Sequence, residues 1–302
     1  MIFDILLEQL IYGCVLGSIY AMLAVGFSLV MGVMDTPNLA HGSFYMLASY
    51  IFAISMQDWG LHPLLSLVVS VAIVILLGLA VERGLLARLY HLPVFHYMFS
   101  VILLTIGLDI VMQKFAGIMW GHWPRYVTIP HLSDAFVQIG PLRTDLLKII
   151  IVIVVFVLIF GLDFFVKRTK PGRALRAIVQ DRETAFLMGI NVDRLFTFCF
   201  VLSVGLAAVA GCLVGPVYSV EPEMGASVLA KAFVIVILAG FGNIRATLLA
   251  SLLLGIWENL AVNFVPAAFI YAAEFIVLII YFLFRGSDLI TRIKKVAAKG
   301  GN

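Results

Sequence analysis

Charged side chains are what this sequence has least of: Asp, Glu, Lys and Arg make up 12% of its 302 residues, about half the share found in a soluble globular chain. Hydrophobic residues make up 63%. A water-facing surface cannot be built from that balance, whereas lipid lets apolar side chains face outward as well as inward. The expected fold is therefore an all-α, polytopic transmembrane bundle in one membrane domain, with no room for a soluble enzyme domain. The net charge is only +3, and the Lys and Arg residues sit in a few connecting segments. No basic face follows a phosphate backbone, which excludes nucleic acid as a partner.

Cysteine is scarce too. Cys14, Cys199 and Cys212 all fall in apolar segments without a CxxC pair, which leaves three small buried hydrophobes and no disulfide framework. The first ten residues, MIFDILLEQL, lack a basic n-region, so no cleavable leader is expected. There is no HExxH, no GxSxG elbow, no Walker A loop and no His and carboxylate cluster at metal spacing. Enzyme chemistry has no starting point, and no cofactor or metal is expected. Proton-driven pumps carry chains of intramembrane ionisable groups; here only Asp109, Lys231, Glu258 and Glu274 are scattered through the spans. A charge at mid-bilayer costs about 2.5–3.5 kcal/mol on insertion scales, so each needs a partner or a polar cavity. Lys231 is read as snorkelling from near a membrane end, and Glu258 and Glu274 as either structural or lining a polar path. Internal repeats and low-complexity tracts are also missing.

What is present is a series of apolar runs. With about 20 apolar residues needed per crossing, spans are predicted at 6–30, 39–55, 64–81, 98–115, 146–166, 195–215, 228–241, 247–264 and 268–284. The second and seventh are short, and either could be a broken or re-entrant helix. Lys167, Arg168, Lys170, Arg173, Arg176, Arg182 and Arg194 crowd one connection, and Arg285, Arg292, Lys294, Lys295 and Lys299 crowd the C-terminal end. The positive-inside rule makes both cytoplasmic. Counting back, Arg83 and Arg88 fall inside, and the 117–144 connection and the N-terminus fall outside. If 39–55 turns back, the count becomes eight and the N-terminus moves inside. One membrane domain over 1–290 is expected, with a cytoplasmic segment at 167–194 and a cytoplasmic tail at 291–302. Trp120, His122, Trp123, Pro124, Arg125 and Tyr126 in the outer connection read as an interfacial aromatic belt or as a docking surface.

Two polar interruptions carry the functional signal. In the first, Gly13 and Gly17 have the four-residue spacing of tight helix packing, and Asp35-Thr36-Pro37-Asn38-Leu39-Ala40-His41-Gly42-Ser43-Phe44-Tyr45 then places a breaker and polar groups between two spans. Pro37 and Asn38 mark a turn into a new helix start, where free N–H groups could receive a carboxylate; an ordinary capped turn fits equally. The second is the cytoplasmic stretch 170–194, where Ala174, Ile178, Ala185 and Met188 fit one face of a short helix or helix pair. Arg173, Arg176, Asp181, Arg182 and Glu183 decorate the rest, and Gly189 supplies a stop. Such a segment is a handle for a soluble partner or a helix lying on anionic headgroups.

Glu183-Thr184-Ala185, three residues and then Gly189 resemble the signature that permease subunits of ATP-binding-cassette importers present to their ATPases. The wider string GRALRAIVQDRETAFLMGINVDRLFTFCFVLSVGLAAVAG is similar to the branched-chain amino acid permease family, in its smaller subunit type. GSIYAMLAVGFSLVMGVMDTPNLAHGSFYMLASY and AFVIVILAGFGNIRATLLASLLLGIWENL resemble that family's first two segments and its later Gly-rich pair of spans. Thr184 stands where the signature has Ala, and Arg285-Gly286-Ser287-Asp288 replaces the family's Arg-Pro-x-Gly ending.

The resemblance implies a permease subunit in the bacterial inner membrane, translocating small solutes, branched-chain amino acids first among them, by alternating access driven by partner ATPases. The implied partners are a second permease subunit, two cytoplasmic ATPase subunits and an external solute-binding protein. It leaves the cargo open among branched-chain or other amino acids, urea, small amides and aromatic acids. Arg173, Arg176, Gln180, Asp181, Arg182, Glu183, Ala185 and Gly189 are the expected ATPase contact. Asn38, His41, Gly42, Tyr45, Gly240, Gly242 and Asn243 are expected along the path or at helix breaks beside it. An autonomous channel or secondary transporter would need no ATPase, and a lipid-directed enzyme would have to use His41, Glu258 or Glu274.

Overall fold

No proline interrupts the first apolar run, and it forms a single helix, α1 (Ile2–Met34), about 50 Å long at 1.5 Å per residue. The computed structural model describes residues 2–263 apart from 130, 131, 133, 134, 140 and 141, together with positions 266, 269, 272 and 276. Helix α1 is the central post, with α5 (Leu146–Arg168), α8 (Val192–Val214), α9 (Met224–Ala239) and α10 (Ile244–Ala261) packed around it. Its glycines set the spacing. A Cβ on Gly13 would lie 2.6 Å from the Ile256 Cα, and one on Gly17 would lie 2.7 Å from the Leu252 Cα. The backbones of α1 and α10 therefore touch, as small residues four apart permit.

The remaining elements are α2 (His41–Gln57), α3 (Pro63–Val81), α4 (Val94–Trp120), α6 (Lys170–Gln180) and α7 (Arg182–Leu187). A π-helical turn, Glu82–Leu86, follows α3 and points Glu82 inward, where it accepts from the hydroxyls of Tyr90 at 2.7 Å and Thr197 at 2.8 Å. Strands β1 (Phe136–Ile139) and β2 (Leu142–Asp145) pair antiparallel, Phe136 opposite Asp145 and Ile139 opposite Leu142. This hairpin sits in the connection before α5, where hydropathy alone indicated only a loop.

Among the described residues, six helical segments are long and apolar enough to cross a bilayer: Leu7–Met34, Pro63–Leu89, Val94–Trp120, Leu146–Arg168, Val192–Val214 and Ile244–Ala261. The two short predicted spans are α2 and α9, with 17 and 16 residues. The ninth predicted span, 268–284, lies outside the described residues except at 269, 272 and 276, as do Glu274 and the tail 291–302. Among the described residues, then, six segments are long enough to cross and two are short, against the expected eight to nine spans, of which the last lies largely outside the described residues.

Helix α2 is short because it begins inside the protein. His41, the first residue of α2, is fully buried, and its Nε2 lies 3.2 Å from the Leu23 carbonyl of α1. Its Nδ1 is 3.4 Å from the Ser203 hydroxyl, and Ser203 is the middle residue of α8. Helix α2 thus starts at half the depth of α8. Gly42 in its first turn meets Gly225 in the first turn of α9, each occupying the place a Cβ on the other would take. Gly42→Ala is expected to force the two backbones apart at an overpacking cost of about 1–3 kcal/mol, lowering the melting midpoint of the purified protein. Gly161→Ala, where a Cβ meets nothing within 4 Å, should hold or raise it.

Candidate functional site

The polar connection between α5 and α8 folds as two helices set off by a succession of caps. Thr169 caps α6 by accepting from the Gly172 N–H at 3.2 Å, with Pro171 in the first turn. Asp181 caps α7, accepting from the Thr184 N–H at 3.0 Å and from its hydroxyl at 2.6 Å. Asn191 caps α8 through the Arg194 N–H at 3.0 Å. Ser, Thr, Asp and Asn are suited to these places because a helix start leaves N–H groups without intrahelical partners. Gly189 ends α7 with φ +82°, its N–H donating to the Phe186 carbonyl and the Ile190 N–H to the Ala185 carbonyl. That left-handed stop favours glycine for its backbone conformation; Gly172 is required by close approach, since a Cβ there would meet the Val166 carbonyl oxygen.

The predicted contact residues separate by exposure. Arg173, Arg176, Gln180, Asp181 and Glu183 are exposed, and Arg182 is half-buried with its guanidinium 4.8 Å from the Phe196 ring centre. Arg173 and Arg176 donate to the Arg168 and Lys167 carbonyls at 3.3 Å, satisfying the last carbonyls of α5, where cations are favoured. Ala185 is buried and seats α7 on the protein. The inward face of the segment is Leu175, Ile178 and Ala185; Met188, predicted to join it, is 79% exposed because α7 ends before it. Phe186 and Leu187 beside it are 67% and 82% exposed. The sequence pattern conceals this apolar knuckle, since three consecutive apolar residues next to an apolar stripe look like part of it.

The residues expected along the path separate into two places. Asn38, His41, Gly42 and Tyr45 are buried around the start of α2, where the Asn38 Oδ1 accepts from the Ala40 N–H at 3.1 Å. Ser43 in the same turn donates to Asp109 of α4, which also accepts from Gln113 at 2.8 Å. A carboxylate at the start of a helix meets a positive dipole end, so Asp109 has the partners its depth demands. Gly240, Gly242 and Asn243 lie at the other end of α9, in its turn to α10. Gly240 and Gly242 have φ +84° and +74°, and the Gly242 N–H donates to the Ser28 hydroxyl at 2.9 Å. Asn243 caps α10 through the Ala246 N–H at 3.2 Å. These three shape a helix break, and the structure does not bring them to the α2 start.

Lys231 does not snorkel. It is buried on α9 and paired with Glu258 of α10, and its Nζ donates to the Tyr20 hydroxyl of α1 at 2.7 Å. Tyr20 in turn donates to Glu258 at 2.9 Å. No local pattern announces this cluster, because its members come from three helices far apart in sequence. A second ion cluster joins α5 to α10 at the end near α6: Asp163 is bound by Lys167 at 2.7 Å and by Arg245 at 3.0 Å. Among the described residues no group of His, Cys, Asp and Glu could hold a metal ion.

Comparison with known sequences places these features. The profile described as branched-chain amino acid transport system / permease component matches residues 9–284. The chain is 31% identical over 301 residues to the high-affinity branched-chain amino acid transport system permease protein LivH of Escherichia coli (strain K12), covering 95% of this chain and 96% of that protein. BraD of Pseudomonas aeruginosa, a permease protein of the same description, is 31% identical over 304 residues with the same coverage. The permease protein LivM of Salmonella typhimurium is 27% identical over 307 residues, covering 93% of this chain and 71% of that protein. No solved structure matches.

The α7 cap gives a direct check on this connection. The Thr184 hydroxyl and then its backbone N–H hold the Asp181 carboxyl below the usual carboxylate range. The bonded form is the anion, so the contribution is fully present above the ordinary Asp pKa of about 3.9 and is lost as pH falls below it through the depressed value. Asp181→Ala should speed amide hydrogen exchange at Thr184 and Ala185 at neutral pH, while Asp181→Asn should largely restore protection.

Proposed function

We propose, because the chain belongs to the family of branched-chain amino acid transport system permease components, that it is one membrane-embedded subunit of an ATP-driven importer whose cargo is branched-chain amino acids. The relatives named LivH and BraD are described as high-affinity permease proteins for those solutes and match this chain nearly end to end, which supports that cargo. The lower but long similarity to LivM supports pairing with a second, related permease subunit. Two ATP-binding subunits and an external solute-binding protein complete the assembly we envisage.

The observation that carries the ATP-driven reading is the α6–α7 connection. It offers a soluble partner an apolar knuckle, Phe186, Leu187 and Met188, in a connection that also exposes Arg173, Arg176, Gln180, Asp181 and Glu183 and half-buries Arg182. Contiguous exposed apolar side chains with a polar rim are the anatomy of a protein interface. The knuckle is held firmly, since α7 is capped at one end by Asp181 and stopped at the other by Gly189. Motion of the ATPases would reach the spans through the start of α8, against which α6 and α7 pack. A cluster of positive charge on this connection supports a cytoplasmic position for it, and by the same charge rule the C-terminal end shares that side. Alternating access then needs no chemistry in this chain, only two arrangements of the bundle with different affinity for the ATP-bound partner.

Phe186→Asp and Leu187→Asp are expected to leave the amount of protein in the membrane unchanged and to reduce capture of the ATPase subunits by about tenfold or more, the effect of truncating an interface anchor. Gly189→Val would add about 1–2 kcal/mol of left-handed backbone strain, leaving the protein in the membrane while uncoupling uptake from ATP hydrolysis. Unchanged capture and unchanged coupled uptake in all three variants would refute the interface.

A further inference from the structure

Beside the Lys231–Glu258–Tyr20 cluster is a cavity of about 340 Å³, within the range of about 300–1,000 Å³ typical of small-molecule sites. It lies between α1, α2, α9 and α10 near the far end of α8 from α6 and α7, and it is bordered by Tyr218 and Ser219 of the non-helical link between α8 and α9. Irregular backbone within a bilayer-spanning bundle persists only where protein or a cavity encloses it. Interrupted helices of this kind are where membrane transporters build their binding sites. The start of α9 also reaches the cavity, through Met224 and Ser227.

The lining divides by chemistry. One part carries the buried Lys231 ammonium, the part-buried Glu258 carboxylate and the Tyr20 hydroxyl that links them. Leu16, Ile19, Val214 and Val228 form an apolar part. Packing alone does not explain the ion pair, since two apolar side chains of similar volume would serve stability as well or better. A free α-amino acid with a branched aliphatic side chain matches both parts at once: one positive end, one negative end and an apolar body.

We propose that this cavity is the transient cargo site of the translocation path, and that it reads the two charged ends of a zwitterionic α-amino acid by exchange of ion partners. The cargo ammonium takes the place of Lys231 at Glu258, and the cargo carboxylate takes the place of Glu258 at Lys231. Tyr20 turns its hydroxyl to whichever acceptor remains. One ion pair becomes two, and because the cargo is a zwitterion its arrival adds no net charge to the site. The pair that must be broken offsets much of the gain, which makes the site weak, as a site that must release its cargo has to be. This inference rests on the cargo reading above and adds the residues that recognise it.

The test uses the full transporter complex in liposomes. With the three native cysteines replaced by alanine, Val228→Cys is labelled by a small thiol reagent in the absence of the binding protein, with leucine, isopentylamine or 4-methylpentanoate as the protecting probe. Leucine should slow labelling by about tenfold or more relative to the two probes that each lack one charge, and Lys231→Met should abolish that advantage. Equal protection by all three probes, or none by leucine, overturns the site. In a second measurement, Lys231→Met and Glu258→Gln should each cut ATP-driven leucine uptake by about tenfold or more, and the double variant should stay as low. Recovery of uptake in the double variant would make the pair purely structural and overturn the proposal. If the unaltered complex with its binding protein fails to accumulate leucine, the cargo reading itself falls; if it accumulates leucine while the labelling is indifferent to it, only the site does.

Discussion

A helix start buried within a lipid-facing bundle, that of α2, is the constraint on which the rest of this structure depends. In hydrocarbon, a backbone N–H or carbonyl without a partner costs several kcal/mol, so an interrupted helix must be enclosed by protein. The enclosure is achieved by contact of backbones at Gly42 and Gly225, where neither residue leaves room for a Cβ on the other. Around that contact the freed groups find local partners: Asn38 for the Ala40 N–H, the Leu23 carbonyl and the Ser203 hydroxyl for His41, and Asp109 for Ser43. Leu23 offers only an acceptor, so the Nε2 of His41 carries a hydrogen. His41 and Ser43 are therefore engaged in holding the break, while Tyr45 faces the cavity whose charged groups lie on α9 and α10.

The two ends of the bundle are joined by continuous elements. Helix α8 begins at the Asn191 cap, beside α7, and runs about 34 Å to Val214 at the cavity. Helix α10 begins at the Asn243 cap, where Arg245 is tied to Asp163 of α5, and carries Glu258 near its other end. Its height against α1 is fixed by the contacts of Gly13 and Gly17 with Ile256 and Leu252. Packed helices of this kind shift as units, so displacement of the α6–α7 connection has rigid routes to the cavity wall.

The apolar runs, the break at Pro37 and Asn38, and the helix pair ended by Gly189 were all legible in the sequence, because each is written in neighbouring residues: a run of hydrophobes, a proline beside an asparagine, a cap followed by a glycine. The Lys231–Glu258–Tyr20 cluster was not, since its members are brought together only when α1, α9 and α10 pack. Viewed singly, Lys231 resembles any lysine near a membrane end. The exposed trio Phe186, Leu187 and Met188 was hidden for the opposite reason: hydrophobicity marks burial in general, and a surface reserved for another protein uses the same residues. The hairpin of β1 and β2 is too short for periodicity to separate it from the loop around it.

The π-helical turn Glu82–Leu86 inserts one extra residue's worth of winding after α3. Such a turn amounts to a single-residue insertion retained in a helix. Because the wider turn holds that residue without advancing the helix, its loss would return the turn to α geometry and leave the chain beyond it, where Tyr90 meets the Phe196 ring edge-on at 5.1 Å, pointing the same way. The turn in this way stores one residue of chain length between α3 and α8, and a deletion of one codon there would be absorbed within it before it was felt at α8.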